Sequence, residues 1–158
     1  MNKIKKLLMK HEGFRGKPYL CSRNKKTIGF GRNIDDVGFS NAEKILLRIG
    51  LGRDFESEPM TRHEANFLLD NDIFNSIQGA KRLGIDFESL DDVRKNVIVN
   101  MTFNLGLGKL RKFKRTLKYL KERRYADTSV EMLDSKWALQ VNERATELSE
   151  MMKTGAYS

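Results

Sequence analysis

The chain carries one cysteine, two histidines and two prolines in 158 residues, and each shortage removes a class of protein. A single thiol permits neither an intrachain disulfide framework nor a cysteine-rich zinc cluster. Two histidines leave too few imidazoles for a protein-ligated zinc enzyme, so no metal and no other cofactor is expected. No apolar run exceeds three residues (Leu7-Leu8-Met9, Ile45-Leu46-Leu47 and Val97-Ile98-Val99 are examples). A membrane-spanning helix needs about 20 apolar residues, so no membrane insertion is expected. The basic start at Lys3, Lys5, Lys6 and Lys10 has the sign of a signal peptide, but no apolar stretch or small-residue cleavage site follows it. That predicts a protein kept in the cytosol. Two prolines and twelve glycines exclude collagen-like and low-complexity classes, and no internal repeat is evident.

What is present suffices for a packed interior. Apolar residues make up 39% of the chain, with nine phenylalanines and one tryptophan, and the length fits one ordinary domain or two small lobes sharing a core. The formal charge of +9 is unevenly spread. Residues 1–32 balance at +9, 33–106 at −5, 107–126 at +8 and 127–158 at −3. Two basic blocks attract polyanions such as nucleic acid, an anionic membrane surface or an anionic wall polymer. The plain alternative for each cation is solvated helix surface.

Periodicity predicts helices with one strand-rich interruption. Ile4, Leu7, Leu8 and His11 fall at helical spacing over residues 3–12, and Gly13 stands at the expected stop. Residues 14–34 lose that period and read as short strands joined by polar turns. Ser40 with Glu43, and Thr61 with Glu64, are capping boxes that open further helices. The second opens the longest one, roughly 61–82, with Ala65, Leu68, Leu69, Asp72, Ile73 and Ile77 on one face. The stretch 92–106 is apolar on several sides and belongs at the centre of a core. Shorter helices are expected at about 114–124, 126–135 and 143–153, divided by Gly106/Gly108 and Asn142. The expected class is α+β, mostly helical. A β-containing N-terminal lobe (13–60) is joined by a connecting helix (61–82) to a helical C-terminal lobe (83–158 with 1–12), and a cleft between lobes is a common ligand site.

The clearest chemical signal lies where the first helix meets the strands. Glu12 sits at a helix C-terminus, facing the negative end of the macrodipole, a setting that suits an acid holding its proton. Eight residues separate it from Cys21 and five more separate Cys21 from Thr27. A thiol and a hydroxyl on adjoining strands can hold a water, or a reacting sugar, opposite the carboxyl.

The segment His11-Glu12-Gly13, Tyr19, Cys21 and Thr27-Ile28-Gly29-Phe30-Gly31 resembles the active-site segment of phage-type lysozymes, the T-even phage endolysins of glycoside hydrolase family 24. The likeness continues through Ser89-Leu90-Asp91-Asp92-Val93-Arg94, Asn100-Met101-Thr102-Phe103-Asn104, Ser135-Lys136-Trp137 and Lys153-Thr154-Gly155-Ala156-Tyr157, nearly the whole chain in order. The resemblance implies a lobe–helix–lobe fold and a catalytic set of Glu12, Cys21 and Thr27. In that set Glu12 donates a proton to the glycosidic oxygen and Thr27 helps to hold the attacking water. Cys21 stands where the T-even enzymes carry an aspartate. It is a thiolate nucleophile or base, favoured by Arg23, Lys25 and Lys26, or else a polar neighbour that positions water.

By the same resemblance Arg144 matches an arginine that pairs with the catalytic Glu, and Asn33, Phe103, Thr116 and Glu131 fall at saccharide-contact places. Asn104 and Gln140 are further candidates for hydrogen bonds to substrate, each with a plain reading as a backbone-capping amide. Arg32 stands where the T-even enzymes carry a histidine, and Asp72 matches its carboxylate partner, a replacement that bears on stability. Trp137, the one tryptophan, reads as core filler.

The function implied is a monomeric muramidase that cuts the β-1,4 bond between N-acetylmuramic acid and N-acetylglucosamine in peptidoglycan. A cytosolic muramidase needs a membrane lesion such as a holin supplies, without direct contact between the two proteins. Two rival readings carry their own discriminators. A basic helical module for nucleic acid would bind duplex in a steeply salt-dependent way without lysing walls, although no helix-turn-helix, zinc finger or aromatic strand motif is evident. A lysozyme fold without hydrolysis, with Cys21 as the warning sign, would release no dye from peptidoglycan.

Overall fold

The computed structural model describes residues 2–158 and shows the α+β class expected from the sequence. Its described residues form nine α-helices and one three-stranded antiparallel sheet in the order β1-β2-β3. Two compact units divide between Ile73 and Phe74, inside the longest helix.

The first unit begins with α1 (Lys3–Glu12), which buries Ile4, Leu7 and Leu8. Asn2 caps its start, its side chain accepting from the Ile4 N–H. Its end is fixed by Gly13, whose φ of 67° takes the chain out of the helix while its N–H closes on the Met9 carbonyl. The sheet follows as β1 (Arg15–Leu20), β2 (Lys26–Gly29) and β3 (Arg32–Asn33). The polar segment between β1 and β2 is a tight turn closed from the Cys21 N–H to the Lys25 carbonyl at 3.0 Å. Ser40 then opens α2 (Asn41–Leu46) with the expected capping box.

Thr61 and Glu64 likewise exchange hydrogen bonds ahead of α3 (Arg62–Lys81), and Arg53 clamps the same Glu64 carboxylate. The face expected from periodicity is the buried one at Ala65, Leu68, Leu69 and Ile73. These residues bury roughly 1.5–3 kcal/mol of apolar side chain apiece, the alanine less.

The second unit is helical. α4 (Asp92–Leu105) buries every residue from Val97 to Thr102, the central place expected of a stretch apolar on several sides. Around it lie α5 (Leu107–Leu110), α6 (Lys114–Lys121), α7 (Tyr125–Leu133), α8 (Lys136–Val141) and α9 (Glu143–Thr154). Two short helices go beyond the sequence expectation. α5 is a single turn, and α8 is a six-residue helix capped by Ser135, whose hydroxyl accepts from the Ala138 N–H. Asn142 divides α8 from α9 as expected, in a positive-φ conformation (43°) that asparagine tolerates better than most side chains. No helix among the described residues is long and apolar enough to cross a membrane.

Candidate active site

The sheet register builds one half of the candidate site. Tyr19 on β1 lies opposite Thr27 on β2, and Thr27 lies opposite Asn33 on β3. Directly paired residues share a face of an antiparallel sheet, so these three form a row across it. Cys21 lies just past the end of β1, and the Thr27 hydroxyl donates to the Lys25 carbonyl at 2.9 Å. Burial pushes the Cys21 thiol up. Hydrogen bonds from the backbone of Arg23 and Lys25 and from Thr27, with the Arg23 charge, outweigh burial and hold it below the ordinary thiol value.

Glu12 reaches this row from the end of α1. A Cβ built on Gly31 would lie 2.6 Å from Glu12 Oε2, so the carboxylate rests directly on the glycine backbone. Gly31 also has φ of 80°, a conformation that strains any other residue. Tyr19 senses the same carboxylate. Burial pushes its phenol up, and the negative charge of Glu12 pushes it further, while Arg15, stacked 4.6 Å from the ring centre, pulls the other way. Glu12 therefore sits at the β2–β3 turn and Cys21 in the β1–β2 turn, at opposite ends of β2, with Thr27 on that strand and Tyr19 feeling both the Glu12 and the Cys21 charge. Sequence reasoning gave Tyr19 and Gly31 no role of their own. The Asn33 amide is occupied locally, donating to Asp36 Oδ2 at 3.1 Å and accepting from the Asp36 N–H at 2.8 Å.

Behind the row, Arg32 pairs with Asp72 as the sequence suggested, Nη2 to Oδ1 at 2.8 Å and Nε to Oδ2 at 3.0 Å. It also holds Glu43 in a two-pronged grip with both contacts at 2.9 Å. The Glu43 carboxylate accepts in addition from Asn71 and from the Ser40 N–H of its own capping box. The hydrogen bonds of Arg32 pull Glu43 down to about 2, against the opposing push of burial. Asp72 goes the other way. Burial raises it, and the single guanidinium shared with Glu43 offsets only part of the rise.

In the second unit each remaining candidate has a defined neighbour or exposure. Arg144 is buried, with Nε and Nη2 on Asn100 Oδ1 at 2.9 and 2.8 Å. Asn104 Oδ1 accepts from Trp137 Nε1 at 2.7 Å, and that indole is buried edge-on to Phe113, the core role expected of it. Glu131 is held by Arg115 at 2.9 Å. Thr116 is buried on α6, Phe103 is half-buried on α4 and Gln140 is exposed on α8. Asn100 had a legible signal, a polar residue between the apolar run Val97-Ile98-Val99 and Met101. Among the described residues no cluster of three or more His, Cys, Asp or Glu is placed to hold a metal.

Comparison with known proteins bears on the same residues. The phage lysozyme family model matches residues 9–151. Two proteins of Dictyostelium discoideum named probable T4-type lysozymes 1 and 2 are 29% and 27% identical, over 98% of this chain and 96% of theirs. The pre-baseplate central spike protein Gp5 of Enterobacteria phage T4 is 26% identical over 94% of this chain but only 27% of its own length. The family match begins within α1, ahead of Glu12, and ends within α9, beyond Arg144, taking in every candidate residue. This chain belongs to the phage lysozyme family.

Proposed function

We propose that this chain is a muramidase that hydrolyses the β-1,4 bond between N-acetylmuramic acid and N-acetylglucosamine in peptidoglycan, and that it serves phage release by host-cell lysis. The observation that carries the reading is the seat of Glu12 on Gly31, next to the sheet that bears Thr27 and has Cys21 just past the end of β1, in a member of the phage lysozyme family. Glu12 gives its proton to the departing glycosidic oxygen as the C1–O bond breaks. Water supplies hydroxide to the anomeric carbon, and its remaining proton passes to the enzyme. Thr27 helps to locate that water, and Cys21 acts either as the thiolate nucleophile or base or as a polar neighbour that positions the water, a choice that the Cys21→Asp and Cys21→Ala rates decide. Asn33, Phe103, Asn104, Thr116, Glu131, Gln140 and Arg144 are the proposed saccharide-side residues. Each is tested singly by the rise in KM on alanine substitution. The enzyme acts as a monomer from the host cytoplasm and reaches the wall once the membrane is breached.

Dye release from purified peptidoglycan tests the assignment. Glu12→Gln should lower the rate about 10²–10⁴-fold, the usual worth of a positioned acid. Cys21→Asp should keep lytic activity, and Cys21→Ala should lower it. Near-normal lysis by Glu12→Gln would remove Glu12 from the mechanism, and no lysis by the unaltered chain would leave a lysozyme fold without hydrolysis.

A further inference from the structure

Between Lys109 and Arg124 the chain carries nine lysines and arginines against one acid, Glu122. The structure sorts them. α5 and α6 turn Leu110, Thr116, Leu117 and Leu120 inward, whereas Lys109, Lys112, Lys114, Lys118 and Lys121 are all exposed. Three arginines are already engaged: Arg111 on the Arg82 carbonyl, Arg115 on Glu131, and Arg124 on Glu122 and Asp127. None of the five lysines has an ion pair among the described residues. Lys114, Lys118 and Lys121 follow at intervals of four and three, so they form one stripe about 10 Å long down α6. Like charges at that spacing repel, and an isolated fold gains nothing from the arrangement.

We propose that this lysine stripe docks a phosphate-bearing polymer of the bacterial wall and holds the enzyme on its substrate between cuts. The inference rests on the wall-hydrolase reading and adds a partner to it. Three features favour that polymer. Ammonium groups are mobile point charges, suited to a flexible chain of single phosphates rather than to planar two-pronged recognition. A membrane-surface helix inserts its apolar face into lipid, but here Leu117 and Leu120 are committed to the protein interior. Stacking of nucleic-acid bases needs an open aromatic face, and the Tyr119 ring on α6 is covered by Arg124 at 4.4 Å.

The test uses the full chain and the joint variant Lys112→Gln, Lys114→Gln, Lys118→Gln, Lys121→Gln. Cosedimentation with insoluble-matrix-bound poly(glycerol phosphate) at about 10 mM salt should weaken on the order of fivefold per lysine removed, the scale such cations show at anionic surfaces. The gap should narrow as salt rises toward 150 mM, where the screening length falls to about 8 Å. Dye release from walls stripped of phosphate polymer should be the same for both proteins. Equal polymer binding by variant and parent would overturn the proposal. So would retention of the parent by phosphatidylglycerol vesicles or duplex DNA as strong as by the polymer at equal phosphate. If neither protein lyses stripped walls yet the lysine dependence of binding persists, the hydrolase reading fails and the docking surface stands.

Discussion

A single missing methyl decides where the proposed acid sits. Gly31 leaves the space that Glu12 Oε2 occupies, so Gly31→Ala must either move the carboxylate or move the turn. Displacement of a reacting group by about 1 Å costs on the order of 100-fold in rate. The positive φ adds about 1–2 kcal/mol of strain. The expected result is therefore a variant that still melts cooperatively, a few degrees lower, but has lost most of its kcat below that melting point. A lowered melting temperature with unchanged kcat would mean that the glycine serves only the turn. The thiol offers a second test at this scale. Thr27→Val deletes one of the hydrogen bonds that hold Cys21 down, so the alkylation rate of the variant should rise with pH at a higher midpoint than that of the parent.

Between elements, one carboxylate joins the start of α2 to β3 and α3. Glu43 is nearly fully buried, at 4% exposure, so its interactions are only weakly screened. Its folded pKa of about 2 lies below the ordinary value of 4.5, so it stabilises the fold above pH 4.5 and loses that contribution as pH falls toward 2. The depression corresponds to on the order of 3 kcal/mol. Asp72, raised by burial, opposes the trend, because protonating it relieves a cost. Urea titration of Glu43→Gln should thus show a large deficit at pH 7 that shrinks steadily below pH 4.5. A deficit independent of pH would make the loss one of packing rather than of charge. In the second unit, Asn104→Leu strands the buried Trp137 N–H and should cost about 1–3 kcal/mol in the same titration.

These links explain what was legible beforehand. α1, both capping boxes, α3 and α4 announce themselves through residues three or four apart, and all were readable. α8 spans fewer than two turns, too short to display a period. The proposed Glu12–Cys21–Thr27 set rests on spacing and family likeness, and the fold adds the seat of Glu12 on Gly31, which no local pattern announces. Arg32–Glu43 and Asn100–Arg144 join residues 11 and 44 positions apart, where no local rule connects them.

Over the whole molecule, a charge of +9 gives every encounter with an anionic wall a favourable long-range component. Raising salt from about 10 mM to 150 mM shortens the screening length from about 30 Å to 8 Å. Lysis of intact walls by the parent should slow accordingly, and hydrolysis of a short neutral oligosaccharide should not. Equal salt sensitivity on both substrates would assign the effect to the reaction centre. The lone indole has a separate consequence. Trp137 is buried in the second unit, whereas Glu12, Cys21 and Thr27 lie in the first. Emission from this fluorophore therefore monitors the helical unit alone, and a denaturation followed in that way stays silent on the acid-bearing half. Recording it beside thiol accessibility at Cys21 would time the two halves independently.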